Sequence, residues 1–316
     1  MGAFPLGQDD MILTVMRMKY FVGIAEQASL TKASSALGIA QPALSHHIRL
    51  LEEELNVKLM TRTSRGIQLT EAGDTLLVHC QTILHSIQRA EHAVREKSTV
   101  PSGDVILGLV GSISPIISAP LIRACRQHLP NIRLFLREGD SQTLRAGLEM
   151  GSYDIAINLS DIAGNNTSFS FKENLYVVAP FGHFKGRNPT IALEEAMRLP
   201  LILPSRKHGI RMLIEREAER AGLKLDVSIE IEGAGSIKSA VREGLGMTIM
   251  GWSSTTTERE TRSFSTAVIT SPTIARKFVL LMAQRSQATN AVLAVRRKLE
   301  EIIADISAAG HWMIEE

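Results

Sequence analysis

The chain has 316 residues, of which 44% are hydrophobic and 22% charged, as is ordinary for a soluble globular protein. Its length allows two or three domains with cores of their own. The formal net charge is only +2, and residues 1–97 are themselves balanced between acidic and basic side chains, so composition gives no argument for a nucleic-acid partner.

Cysteine usage and the apolar segments indicate the compartment. Cys80 and Cys125 match no disulfide framework or CxxC motif, so we expect two buried thiols. The first fifteen residues lack the basic and apolar regions of a signal peptide. Residues 105–122 carry no charge, but their serines and prolines favour a strand, a loop and a helix over a membrane span. The sequence therefore predicts a cytoplasmic protein.

Residues 40–51, AQPALSHHIRLL, place two histidines side by side. A helix advances about 100° per residue, so His46 and His47 point in different directions. Two helical metal ligands need i, i+4 spacing, and we therefore expect no metal site. His47 falls near the edge of the buried stripe that this helix would form, which consists of Leu44, Ile48, Leu51 and Leu55.

The segment before this helix predicts a helix-turn-helix. Leu30–Leu37 is a second short helix, and residues 38–40, with a glycine, form the turn. Ser29 and Thr31 stand at its start, where hydroxyls can cap the helix or donate to a phosphate. Residues 61–70, TRTSRGIQLT, read as a two-stranded wing whose tip carries Arg62 and Arg65.

The polar face of the third helix has two interpretations. It is either a solvated face or a surface that reads bases, since its side chains are donors and acceptors near the start of a helix that fits a DNA groove. Together with the turn, the wing and the basic residues, it favours DNA binding. The candidate residues on this face are Gln41, Pro42, Ser45, His46 and Arg49.

Residues 29–73 resemble the winged helix-turn-helix of LysR-type transcriptional regulators. The family pattern appears as Ala33, residues 41–45, Leu51-Glu52, Leu55 and residues 62–73, with Ser34 and Met60 as departures. The resemblance implies that the third helix is the recognition helix and that the wing lies at a minor groove.

A long helix is predicted after Thr70, and its apolar residues recur at heptad spacing. Such a helix could be a core helix of one domain. Because it follows a small DNA-binding unit and precedes the linker STVPSGD, we predict a dimerising linker helix, as in the family. The predicted seam consists of Leu76, Cys80, Ile83, Ile87 and Val94.

From residue 104 onward strands and helices alternate, which predicts a mostly parallel sheet covered by helices. This part resembles the effector domain of the same family, a pair of subdomains like those of periplasmic binding proteins. The chain would cross between them near Leu175 and return near Thr273. The family often has proline after one of the later strands, where this chain has Gly251.

The expected fold is α/β, with an N-terminal all-α winged helix-turn-helix and a long linker helix, followed by two Rossmann-like α/β effector subdomains. The expected ranges are 1–15 for an N-terminal extension, 16–70 for the winged helix-turn-helix, 71–97 for the linker helix, 98–103 for a hinge, 104–175 with 273–316 for effector subdomain I, and 176–272 for effector subdomain II.

The sequence contains no nucleophile elbow, Walker loop, HExxH motif or dinucleotide fingerprint, so we expect no catalytic residues, metal or cofactor. Open α/β sheets bind ligands at the carboxyl ends of their strands, and hydroxyls and helix N-termini suit an anion. The same residues could merely cap helices. The candidate effector-binding residues are Ser112, Ile113, Ser114, Asp140, Ser141, Ser205, Arg206, His208 and Gly209.

The sequence thus predicts a DNA-binding homodimer or homotetramer that regulates transcription and senses a small, carboxylated metabolite. Its expected partners are double-stranded promoter DNA and an organic acid, and RNA polymerase is a third candidate partner. One alternative is a regulator of the same family that needs no effector. Another is a solute-binding or enzymatic α/β protein with a fused helical domain, which would show turnover without DNA binding.

Overall fold

The computed structural model describes residues 12–63, 66–95, 100–159, 169–186, 188–256, 262–283 and 288–315, without the side chains of 92–95. The chain divides into two compact units. The first runs to Thr99 and includes residues 150–152, and the second holds the remainder. No helix in the described ranges is long and apolar enough to cross a membrane.

The first unit is a helical bundle with a two-stranded wing. Its helices are α1 (Val15–Gln27), α2 (Leu30–Leu37), α3 (Gln41–Leu55) and α4 (Glu71–Arg95), and its antiparallel strands are β1 (Met60–Thr63) and β2 (Gly66–Leu69). Ser29 caps α2 by accepting a hydrogen bond from the Lys32 N–H, and Gly38, at φ 66°, ends the helix. These local signals explain why the predicted bounds of α2 are confirmed. The predicted two-stranded wing is also present, with its first strand beginning one residue earlier than expected, at Met60.

The core of the first unit lies between α1, α3 and the start of α4. The predicted apolar stripe of α3 is confirmed, since Leu44 and Leu51 are fully buried and Ile48 nearly so. They pack with Phe21 and Ile24 of α1 in one cluster. Burying each such side chain stabilises the fold by about 1.5–3 kcal/mol.

The heptad pattern of α4 is shared between this core and an open face. Cys80 is completely buried in the winged-helix core, so the predicted seam is wrong at this position, and the half-buried Leu76 packs against the same core. A heptad stripe fits packing within a chain as well as between chains. Ile83 is 40% exposed and Ile87 is half-buried. The side chain of Val94 lies outside the described residues.

The second unit begins with a parallel three-stranded arrangement that forms lobe I. Its elements are β3 (Gly103–Val110), α5 (Ser114–His128), β4 (Ile132–Gly139), α6 (Ser141–Met150) and β5 (Ile155–Leu159). Strand β3 lies between β4 and β5 and is parallel to both. Its strands alternate along the chain with helices that cover the sheet, as predicted for this stretch.

Lobe II follows a long strand, β6 (Ser170–Pro180). Its elements are β7 (Thr190–Ala192), α7 (Leu193–Met197), β8 (Leu201–Leu203), α8 (Gly209–Arg220), β9 (Val227–Glu230), α9 (Ala234–Arg242), β10 (Thr248–Gly251), a 3-10 turn at Trp252–Ser254, and β11 (Phe264–Thr270). The chain then returns to lobe I with β12 (Ala275–Met282), α10 (Asn290–Ala308) and β13 (Met313–Glu315).

Strand β6 joins the two lobes. Residues 170–174 pair with β12 and residues 175–180 pair with β10 and β11, all antiparallel. The expectation of a mostly parallel sheet is therefore wrong around the crossing, because strands that leave and re-enter a lobe there run in opposite directions. The main path of the sheet is β4-β3-β5-β12-β6-β11-β7.

Candidate DNA interface and ligand cleft

The polar face of α3 is open to solvent. Gln41, Pro42, His46 and Arg49 are exposed and Ser45 is partly so, while Arg62 is exposed on β1. The structure thus brings the predicted recognition residues of α3 to one helix face. Arg65 lies outside the described residues.

Two hydrogen bonds orient the side chains of this face. Thr31 Oγ1 donates to Gln41 Oε1 at 3.2 Å, which leaves the Gln41 amide N–H groups available. Arg49 Nη2 lies 3.2 Å from His46 Nδ1. Because a guanidinium only donates, His46 Nδ1 accepts, and the ring presents its Nε2–H outward. Donors of this kind suit the acceptor edge of guanine.

His47 does not belong to this surface. Its ring packs at 5.2 Å from the ring of Tyr20 in α1, so it supports the core as predicted from the helix phase. Among the described residues, no group of three or more histidine, cysteine or acidic side chains could hold a metal ion.

Glu52 is a structural residue that the sequence did not reveal. It is 8% exposed and accepts hydrogen bonds from the Leu59 N–H at 2.9 Å, the Met60 N–H at 3.2 Å and Lys58 Nζ at 2.6 Å. Burial alone would raise the pKa of this carboxyl, but the hydrogen bonds outweigh burial and hold the pKa below its ordinary value. Glu52 therefore fixes the start of the wing against α3.

A cleft of about 620 Å³ lies in the second unit between lobes I and II. It opens at the carboxyl ends of β3 and β4 and at the first residues of α6 and α8, where an open α/β sheet offers a ligand site. The structure brings five of the predicted effector residues to its wall: Ser112, Asp140, Ser141, His208 and Gly209.

The other four predicted effector residues do not line the cleft. Ile113 is fully buried in the core of lobe I, and Ser114 is buried with its Oγ 3.3 Å from Ser118 Oγ. The Ser205 N–H is bonded to Glu232. Arg206 is exposed and lies 3.7 Å from Glu215, while its neighbour Lys207 lines the cleft. These four positions are corrections, because sequence proximity to a strand end does not fix which side chains turn inward.

Asp140 occupies the N-terminus of α6 itself. Its carboxylate accepts hydrogen bonds from the N–H groups of Gln142 and Thr143 and from Thr143 Oγ1. The bonds from Thr143, backbone first, hold the pKa of Asp140 below its ordinary value. A bound anion would meet this charge, so the N-terminus of α6 is not the anion site that the sequence suggested.

His208 offers a donor on the opposite wall. Its Nδ1 accepts from the Ile210 N–H at 3.3 Å and so caps α8. Burial lowers the pKa of His208, and the charge of Arg276 lowers it further against the opposing effect of Glu232. The ring is therefore neutral at pH 7, with its proton on Nε2 and free to donate into the cleft.

The cleft also has residues that were not predicted, among them Thr248 and Arg276. Thr248 is 1% exposed, and its Oγ1 has no hydrogen-bond partner among the described residues. Arg276 lines the cleft although it is 5% exposed. Because the Thr248 Oγ1 is fully enclosed, this hydroxyl does not face the open space of the cleft. Both residues come from strands whose local sequence carries no binding motif.

Two parts of this chain match known protein families. Residues 15–74 match a bacterial regulatory helix-turn-helix protein of the lysR family. Residues 98–303 match a LysR substrate binding domain. The two matched ranges contain the recognition surface and the cleft respectively.

Several proteins are similar along most of the chain. The nitrogen assimilation regulatory protein nac of Escherichia coli (strain K12) is 31% identical over 91% of this chain and 94% of its own. The transcriptional dual regulator GltC of Bacillus subtilis (strain 168) is 28% identical over 75% of this chain and 80% of its own.

Two solved structures show the same fold. A full-length OxyR variant from Pseudomonas aeruginosa aligns with a TM-score of 0.66 at 20% identity, covering 92% of this chain and 94% of that one. Full-length CbnR in complex with its target DNA aligns with a TM-score of 0.65 at 19% identity, covering 93% and 99%.

Proposed function

The chain belongs to the LysR family of DNA-binding transcriptional regulators, and from this premise we propose what its two sites recognise. The exposed face of α3 and the wing bind promoter DNA as part of a homodimer or homotetramer. The cleft of the second unit holds a small organic acid that changes DNA binding. The domain ranges expected from the sequence, and a contact with RNA polymerase, belong to the same proposal.

Unused hydrogen-bond donors on the wall of the cleft support an acidic ligand. The neutral ring of His208 presents Nε2–H, and Arg276 and Lys207 supply positive charge. Ser112 and Ser141 add hydroxyls from the wall of lobe I. Because charged hydrogen bonds are the strong ones, a carboxylate on this side would be held more tightly than a neutral group.

A melting-temperature screen with acetate, succinate, citrate and benzoate tests the proposal. A ligand that binds the folded state raises the melting temperature. We expect at least one acid to do so, and Ser112→Ala to reduce the shift, since Ser112 lines the cleft. The alanine removes only the hydroxyl.

Ser205→Ala is the matched control, since Ser205 is absent from the cleft wall. It should leave the ligand-induced shift unchanged. Stabilisation by cations or neutral apolar compounds alone would contradict the acidic ligand. If no small molecule stabilises the protein while sequence-specific DNA binding persists, the regulator without an effector replaces this part of the proposal.

A further inference from the structure

A buried ion pair lies where the chain crosses between the lobes. Glu173 of β6 is fully buried, and Arg276 of β12 is its register partner on the neighbouring strand. Arg276 directs both Nε and Nη2 to Glu173 Oε1. Taking two charges out of water costs several kcal/mol per ion, so such a pair persists only when further hydrogen bonds satisfy both groups.

Three further bonds complete the coordination of Glu173. Oε1 accepts from Ser253 Oγ at 2.9 Å. Oε2 accepts from the Ser253 N–H at 3.0 Å and from Trp312 Nε1 at 3.1 Å. Ser253 Oγ accepts in turn from Arg276 Nη2 at 3.0 Å. Residues from lobe II and from the C-terminal end therefore hold the same ion pair in place.

One nitrogen of Arg276 remains available. Nη1 makes no hydrogen bond to the described residues, yet it is not among the fully enclosed atoms that lack a partner. It therefore reaches open space, and Arg276 lines both the cleft and a smaller pocket of about 190 Å³. The positive charge of Arg276 also acts on His208, which lines the same cleft. Arg276 and His208 are therefore close to each other at the cleft wall.

Gly251 shows that the chain makes room for this pair. A Cβ at this position would come within 2.1 Å of Glu173 Oε1 and 2.6 Å of Arg276 Nη2. No side chain fits there unless the pair moves. This explains why the chain has glycine where the family pattern often has proline.

We infer that Arg276 Nη1 binds the acid group of the effector, and that Glu173, Ser253 and Trp312 are positioning residues that hold its guanidinium at the cleft wall. The inference rests on the proposed function, since it names the residue that receives the acid. Ligand binding would then depend on the C-terminal segment as well, because Trp312, which is 1% exposed, lies in that segment and donates a hydrogen bond to Glu173.

The two tryptophans of the chain, Trp252 and Trp312, provide a direct readout. Their rings lie 6.5 Å apart beside the pair. Titration of the full-length protein with succinate and with benzoate should therefore change tryptophan emission. In Trp312→Phe, where Trp252 still reports, we expect binding about tenfold weaker, because a lost hydrogen bond to a charged group is worth about 1.4 kcal/mol or more.

The paired variant Glu173→Gln with Arg276→Gln removes both charges together and avoids a buried unpaired ion. Measured by calorimetry with the same acids, it should lose at least about tenfold in affinity. Gly251→Ala should also weaken binding, whereas Gly235→Ala should not, since no atom lies within 4 Å of a Cβ there. Arg206→Gln controls for general loss of positive charge.

The outcomes separate the inference from the proposed function. If the acids bind the wild type and all Arg276-directed variants equally, the inference is overturned and the acidic effector stands. If no acid binds the wild type, both fall. If the paired variant does not fold, Trp312→Phe decides, with its affinity for the acids measured well below its own melting temperature.

Discussion

Single carboxylates hold the functional surfaces of this protein in place. Glu52 joins the recognition helix to the wing through two backbone N–H groups and Lys58. Its lowered pKa means that the folded state binds a proton less readily than the unfolded chain. The stability that Glu52 contributes is therefore present above about pH 4.5, its ordinary value, and is lost as the pH falls through the lower folded-state pKa.

Glu52→Gln should lower the free energy of unfolding of the first unit by about 1.5–3 kcal/mol at pH 7, the range for hydrogen bonds to charged groups. The difference from wild type should shrink below pH 4.5. Denaturant unfolding at several pH values measures both effects. Glu53→Gln, at an exposed neighbour, serves as control and should change little. A difference that stays constant down to about pH 3 would refute this role of Glu52.

His46 and Arg62 should have different effects on DNA binding. His46→Ala removes an outward donor of α3 and should cost about 1–3 kcal/mol at one base position only. Arg62→Ala, on the wing, should weaken binding to all sequences and lower the salt slope by about 1. Binding to a set of single-base variants of the site at several salt concentrations separates these effects. Base preference controlled by His47 instead would mean that the phase of α3 is misassigned.

Residue-level prediction succeeds where a residue acts through its own helix and fails where it acts through distant partners. The exposure of His46 and the core position of His47 follow from helix phase. Glu52 and Arg276 could not be found in this way, because their roles depend on distant contacts. Glu52 accepts from Leu59, 7 residues away, and Arg276 donates to Glu173, 103 residues away.

At the scale of elements, α4 has one side in the winged-helix core and another that is open. Cys80 and Leu76 belong to the core, whereas Ile83 is 40% exposed. Val78 is 46% exposed but lies five residues away, about 140° around the helix. These two residues therefore distinguish the side proposed to bind a second copy from the opposite side.

Ile83→Asp should convert the oligomer to monomers, because a charge would be buried against the partner helix. Val78→Asp should leave the oligomer intact. Light scattering coupled to size-exclusion chromatography measures both. Monomeric wild-type protein at micromolar concentration would contradict the dimerising role of α4, as would monomers from Val78→Asp alone.

The reactivity of the Cys80 thiol shows whether its own chain or a partner helix covers this residue. Burial raises the pKa of its thiol to about 11, so it should be unreactive towards iodoacetamide at about pH 8 in the native protein. We expect the same in the monomeric Ile83→Asp variant, since the core of its own chain covers Cys80. Labelling that appears on dissociation would show that the partner helix covers it. Mass spectrometry of the labelled peptides gives the result.

Helices and strands with their own caps and periodicity were predictable, and those that depend on a neighbour were not. The helix α2 is defined by Ser29 and Gly38, which adjoin it. Strand β13 has three residues and exists because β6 offers a free edge to it. Strand β11 pairs with β6 and β7, and neither partner is adjacent to it in sequence. Such elements are set by tertiary pairing, which a local pattern does not contain.

For the protein to act as a ligand-controlled regulator, the cleft and the DNA surface must be coupled. A ligand can shift an equilibrium between conformations only as far as its affinities for them differ. The crossing at β6 and β12, braced by Glu173 and Arg276, is the part of the second unit where the two lobes are joined. An acid that binds beside Arg276 should favour one arrangement of the lobes.

An acid that raises the melting temperature should therefore also change the affinity for the specific DNA site by about 5–150-fold, the usual range of coupling. DNA should change the affinity for the acid by the same factor, since coupling is reciprocal. Anisotropy titrations with labelled DNA, with and without the acid, measure the first effect, and calorimetry measures the second. Stabilisation without any change in DNA affinity would leave the cleft as a binding site with no regulatory role.

Footprinting of the purified full-length protein on DNA flanking its own gene measures whether α3 and the wing read DNA. We expect a discrete protected segment that weakens steeply with salt, because phosphate contacts release counterions. Its sequence boundaries should be lost in His46→Ala before overall binding is lost. Uniform protection without a preferred site, or no protection at low salt, would contradict the assignment of α3 and the wing as the surface that reads DNA.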